Sequence, residues 1–274
     1  MLGSERINVR KKNQMRMRKL FLGLLCLFLM TILPIHSQNT FEKKPVFVEN
    51  FSTTRLNPKV WGIDIAEFKG HNVYFSDQNY RIRKGVLTIT LKKEKYKGCD
   101  FTSTSIWTKP SGIRFGYGKL EIRAKVPATK ECRPALWLNA LNSTNQLKGE
   151  IDILEHWPDY GKNKYQANFH LWGKMTSTAE THKQYPKVVS TIDVTKWHVY
   201  SLEYTPTEIT MTVDGKTVSK WAKGSLSDWP QDIQYQLYIS LACSTWSTDH
   251  VAESKDLPQT LQVDWIKYYN MNMK

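Results

Sequence analysis

The chain has 274 residues, 41% hydrophobic and 12% aromatic, and its 39 Lys and Arg against 25 Asp and Glu give a net charge of +14. That length suits a single folded domain, and no 20–50-residue repeat or low-complexity tract is visible. The aromatics are interleaved with strand residues rather than with basic clusters, so no nucleic-acid partner is expected.

The first 37 residues do not read as part of the fold. Seven basic residues between Arg6 and Lys19 precede a 14-residue apolar run, Leu20 to Leu33, followed by Pro34-Ile35-His36-Ser37. The run is short for a bilayer span and has the plan of a secretory signal. An uncleaved single-span anchor is the alternative. Cleavage after Ser37 would leave a secreted or periplasmic protein with no stable membrane span, and would lower the net charge from +14 to +8.

Residues 38–274 read as one all-β domain. Strand signals recur at Val86–Leu91, Leu120–Val126, Trp197–Tyr204, Ile209–Val213, Gln236–Ala242 and Leu261–Tyr269. From Leu120 to Val126, apolar and charged residues alternate strictly, which puts one face in a core and one in water. Asp214-Gly215 marks a hairpin turn after Val213. Lys92-Lys93-Glu94-Lys95-Tyr96-Lys97 reads as a solvated loop. Helical periodicity is scarce, so the expectation is a β-sandwich of two antiparallel sheets, one curved into a concave substrate cleft. Beyond the signal, Cys99, Cys132 and Cys243 remain, and Cys99–Cys132 is a candidate disulfide with three buried thiols as the alternative. No C-x-x-C, H-E-x-x-H, G-x-S-x-G or P-loop is present, which removes zinc, redox, serine-hydrolase and nucleotide chemistry from the front rank.

The chemistry concentrates in Gly149-Glu150-Ile151-Asp152-Ile153-Leu154-Glu155-His156. Along a strand, Glu150 and Asp152 share one face, and strict alternation would send Glu155 to the other. A bulge near Ile153-Leu154 would keep both apolar residues inward and return Glu155 to the acid face. A helix would spread the acids around its circumference. Two carboxylates on one face suit glycoside hydrolysis, one attacking the anomeric carbon and the other protonating the leaving oxygen. An exposed charged strand is the plainer alternative, but like charges side by side destabilise a sheet.

This motif resembles the signature of glycoside hydrolase family 16. So do its flanks, Gly116-Tyr117-Gly118-Lys119-Leu120-Glu121-Ile122-Arg123-Ala124-Lys125 and Pro134-Ala135-Leu136-Trp137-Leu138 upstream, and Phe169-His170, Trp197–Tyr204, Asp214-Gly215-Lys216 and Val263-Asp264-Trp265-Ile266 downstream. The resemblance spans nearly the whole mature chain and implies a β-jelly roll acting on polysaccharide. It implies Glu150 as nucleophile, Glu155 as acid/base and Asp152 as their electrostatic helper, with no cofactor for catalysis. It places Trp137 beneath a sugar and His170 beside the acids. Trp246 and Trp172 are further cleft candidates, Asn72 and His71 stand on the rim, and His156 and Trp157 stand at the cleft wall. Trp61, Trp107, Trp197 and Trp265 are read as core. Glu49 and Asp264 match part of a structural Ca²⁺ site. Arg133, where glucanases usually differ, leaves a galactan or sulfated glycan open beside the expected β-1,3- or mixed-linkage glucan. A transglycosylase and a non-catalytic lectin-like domain are the other readings, and a monomer is expected.

Overall fold

A computed structural model describes residues 41–130, 132–141, 147–173, 182–226, 228–243 and 256–272. All belong to one unit that begins at Thr40. The signal-like segment 1–37 and Trp246 lie outside the described residues. Among the described residues, no helix is long and apolar enough to cross a membrane.

Period-two alternation dominates, and the described chain is built of strands. Short ones come first: β1 (Phe47–Glu49), β2 (Trp61–Ile63), β3 (Ala66–Phe68), β4 (Val73–Phe75) and β5 (Tyr80–Arg83). Then follow β6 (Val86–Tyr96), β7 (Cys99–Ser103), β8 (Ser105–Thr108), β9 (Gly118–Lys125), β10 (Cys132–Ala140), β11 (Leu147–Glu155) and β12 (Tyr165–Gly173). The rest are β13 (His182–Gln184), β14 (Lys187–Val189), β15 (His198–Tyr204), β16 (Glu208–Val213), β17 (Lys216–Ala222), β18 (Tyr235–Cys243) and β19 (Gln259–Asn270).

They form two sheets. The larger runs β17-β16-β15-β9-β19-β6-β7-β4-β3, with β1 on β19 and β5 on β6; the smaller runs β13-β12-β11-β10-β18-β8-β2, with β14 on β12. Pairing is antiparallel except between β4 and β7. Leu136, Leu138, Ile151, Phe169 and Ile239 of the smaller sheet join Leu120, Ile122, Tyr200 and Ile266 of the larger in one buried cluster. The alternation of β9 is the cause in miniature: Leu120, Ile122 and Ala124 are buried while Lys119, Glu121 and Arg123 are not.

Three expectations change. The lysine run is no loop, since Lys92–Tyr96 continue β6 as an exposed strand. It turns into β7 through Lys97 and Gly98, both at positive φ (47° and 87°). Asp214 and Gly215 turn at φ 49° and 77°, the conformation expected of an Asp-Gly hairpin. Cys99 carries a free thiol on β7, in the larger sheet, whereas Cys132 lies opposite Cys243 in the register of β10 with β18. A Cys99–Cys132 bridge is therefore absent, because the two cysteines sit in different sheets. Finally, of the tryptophans read as core, Trp61 is buried, but Trp107, Trp197 and Trp265 are only partly so. Trp197 and Trp265 lie beneath cations, Arg123 at 4.8 Å and Lys267 at 4.4 Å from the ring centres.

Candidate active site

The irregularity predicted in β11 is present. Against β10, Leu154 pairs with Leu136 and Asp152 with Trp137, so Ile153 is the extra residue. Against β12, three steps from Asp152 to Glu155 match two from Asn168 to Gln166. Ile151, Ile153 and Leu154 are all buried at 2% or less. Two consecutive inward apolar residues restore Glu155 to the face of Glu150 and Asp152. All three acids line one pocket of about 200 Å³ with Phe68, Arg133, Ala135, Trp137, Ser240 and Ala242.

The acids crowd each other. Burial, and then the charge of Asp152, push the Glu150 carboxyl up to about 8. Asp152 is pushed well above the usual carboxylate range by burial and by Glu155. Such a cluster holds protons at neutral pH, as acid/base chemistry requires. Glu155 is anchored differently. Arg133 Nη2 donates to its Oε1 at 2.9 Å, and the guanidinium lies 4.4 Å from the centre of the Trp157 ring.

His170 stands opposite Glu150 in the β11–β12 register. Its Nε2 is 3.0 Å from Asp152 Oδ2 and 3.9 Å from Glu150 Oε1. Burial lowers its pKa, so the ring is neutral in the resting site. Glu150, Asp152 and His170 each bring one ligand atom within 4.8 Å of the others, a spacing a cation could span. However, the Asn168 amide nitrogen lies 2.7 Å from His170 Nε2 and engages the lone pair that a metal would need. The trio is better described as an acid cluster with its histidine.

Aromatic rings extend the floor. Trp137 stacks on Tyr238 (4.4 Å between centres, 24°), and Tyr238 stacks on Trp107 (6.3 Å, 26°). These rings occupy β10, β18 and β8, a row leading away from Glu150. Trp107 lies flat over Gly62, where a Cβ would fall 2.5 Å from the indole. Beyond His170, Trp172 and His182 stack at 4.8 Å and 4°. Phe68 overhangs the pocket from β3, 39% exposed and stacked on His71 at 4.1 Å.

Of the residues expected here, the structure therefore brings together Glu150, Asp152, Glu155, Trp137, His170 and Arg133. Asn72 is not among the pocket residues. At φ 50° it shapes a turn, accepting the Asp100 N–H on Oδ1 and donating from Nδ2 to the Asp100 carboxylate. His156 is buried, its ring nitrogen 2.8 Å from the Gly161 carbonyl, so it braces the chain below the cleft and does not wall it. Glu49 accepts the Phe51 N–H and the Trp61 indole N–H, and Asp264 pairs with Arg123; no metal-ligating cluster among the described residues contains either. Phe68 and Tyr238 also belong to the site. Phe68 gave no signal, and Tyr238 could have been found as an outward position of its strand.

The chain matches the model of Glycosyl hydrolases family 16 over residues 67–267. A beta-glucanase of Rhodothermus marinus is 29% identical over 249 residues, 82% of this chain and 84% of the relative. A keratan-sulfate endo-1,4-beta-galactosidase of Sphingobacterium multivorum is 25% identical over 162 residues, 57% of this chain and 37% of the relative. Among solved structures, the laminarinase from Rhodothermus marinus superposes with a TM-score of 0.73 at 24% identity, covering 85% of this chain and 99% of that one. With the match spanning the acid strand and the strands on both sides of it, the chain belongs to glycosyl hydrolase family 16 and is a glycoside hydrolase.

Proposed function

We propose that this protein is an exported, endo-acting hydrolase of β-glucan that works with retention through a covalent glycosyl-enzyme. The observation that carries the chemistry is the bulge at Ile153, which turns Glu150 and Glu155 into the same pocket. Glu150 attacks the anomeric carbon while Glu155, once protonated, donates its proton to the leaving oxygen. Glu155 then takes a proton from water, which displaces Glu150 and releases the sugar. Asp152 and His170 hold the charge balance between the two glutamates. The row Trp137-Tyr238-Trp107 offers ring faces for the apolar sides of successive pyranoses, as an enzyme cutting within a chain needs. Glucan is favoured over galactan by the beta-glucanase relative, which is matched over most of its length. Export rests on the basic and apolar pattern of residues 1–37.

Replacing Glu150 by Gln tests the assignment. Laminarin, lichenan, agarose, porphyran and keratan sulfate are offered to both proteins and the products separated. The expected result is oligosaccharides from laminarin or lichenan with the wild type and none with the variant. Turnover by Glu150→Gln would overturn the nucleophile, and release from the galactans alone would overturn the substrate.

A further inference from the structure

The histidine beside the acids is itself held by a second one, and the hydrogen bonds around the pair fix where its proton sits. Asn168 is buried, and its Oδ1 accepts the N–H groups of Phe169 (2.8 Å) and Tyr185 (3.1 Å). The end of the amide that faces His170 Nε2 at 2.7 Å is therefore the nitrogen. An N–H aimed at Nε2 requires a lone pair there, which puts the imidazole proton on Nδ1. That Nδ1 lies 2.8 Å from Nε2 of His182, with the two rings within 11° of coplanar, as an in-plane N–H···N bond requires. His182 stands on β13 opposite Trp172, and its ring is stacked on that indole. The acceptor is thus held in plane.

We propose that His182 is a positioning residue of the catalytic centre: by accepting the Nδ1 proton of His170, it fixes the tautomer that leaves Nε2 bare beside Asp152. Asp152 Oδ2, 3.0 Å from Nε2, is buried and accepts no hydrogen bond. Beside a nitrogen that carries no proton, and whose lone pair the Asn168 amide engages, an ionised oxygen is repelled and a protonated one is not. His182 in this way favours the neutral form of the acid between the two glutamates and leaves negative charge to Glu150 for attack. A proton on His182 Nε2 would oppose two donors and drive His170 to the other tautomer. The groups facing this pair are Glu150 and Asp152 on β11, Asn168 and Trp172 on β12 and Gln184 on β13. Lys148 and Arg133 are the cations acting on the acids.

The role in catalysis rests on the hydrolase reading above, but the tautomer can be read without turnover. Long-range ¹H–¹⁵N spectra of the imidazoles, assigned with His170→Gln and His182→Gln, are expected to show His170 protonated at Nδ1 and bare at Nε2. A wild-type His170 protonated at Nε2 overturns the proposal. In kinetics, His182→Ala is expected to lower kcat roughly 10–100-fold, as loss of an orienting partner does, with KM little changed and the pH profile of kcat shifted. His182→Gln, which restores an acceptor oxygen, recovers most of that loss. A rise in KM alone, or equal losses in both variants, overturns it by making His182 a sugar contact or a packing residue.

Discussion

Glu150 sits where its charge is unwelcome, and Glu150→Gln should therefore stabilise the fold while ending catalysis. Burial and Asp152 raise the carboxyl from an ordinary 4.5 to about 8. A carboxyl whose folded pKa is raised costs nothing below its unfolded value, where both states are protonated. The penalty then grows from pH 4.5 and levels off above 8. At pH 7 the gap of about 2.5 pH units corresponds to an upper limit of about 3.5 kcal/mol, at roughly 1.4 kcal/mol per unit. For a domain of this size that is roughly 7–14 °C in Tm. Neutralising Glu150 also relieves Asp152, which acts in the same direction. Differential scanning fluorimetry from pH 4 to 9 at fixed ionic strength should show variant and wild type nearly together at pH 4, with the variant increasingly ahead as pH rises. A Tm difference that stays constant or shrinks with pH would refute the electrostatic account of this site.

Three other outcomes follow from the same geometry. The acid limb of kcat/KM should lie well above the usual glutamate range, toward 8, because Glu150 must be ionised to attack and burial opposes that; a limb near 4.5 in a pH–rate profile would contradict it. Trp137→Ala removes the ring nearest the acids and about 1–3 kcal/mol of stacking and burial, so KM for long glucans should rise about tenfold or more in steady-state assays, and an unchanged KM would take Trp137 out of the sugar path. Arg133→Met keeps the packing on Trp157 but strips the largely buried Glu155 of its cation, a change expected to cost about 2–4 kcal/mol in denaturant titration and to lower kcat; full activity and stability would show that the ion pair does not position Glu155.

The sandwich and the acid strand were legible because they rest on short-range pattern. Alternation in Leu120–Val126 dictates which face is buried, and Ile153-Leu154 breaks that alternation in a way only a bulge repairs. What escaped depends on partners distant in sequence. Trp107 reads as core because strand aromatics usually are. It faces the cleft since Ile106 takes the inward position and Tyr238, 131 residues later, supplies its neighbour. Phe68 overhangs the acids only because His71 and Phe75 stack beside it. Cys99 and Cys132 look adjacent along the chain, but consecutive strands here change sheets. Asn72 and His156 carried the right chemistry for a cleft, and their hydrogen bonds are spent on local backbone instead.

The bare backbone at Gly62 has a bearing on where long polymers can rest. With no side chain beneath it, the Trp107 indole settles against the strand; even one methyl group there would have to lift the ring by more than half an ångström to reach ordinary contact. The height of the far end of the trough is thus governed two strands away from Tyr238 by a missing atom. Gly62→Ala would be expected to leave the cleavage step alone while making the distal end shallower, so that short oligomers react as before and long ones lose their footing.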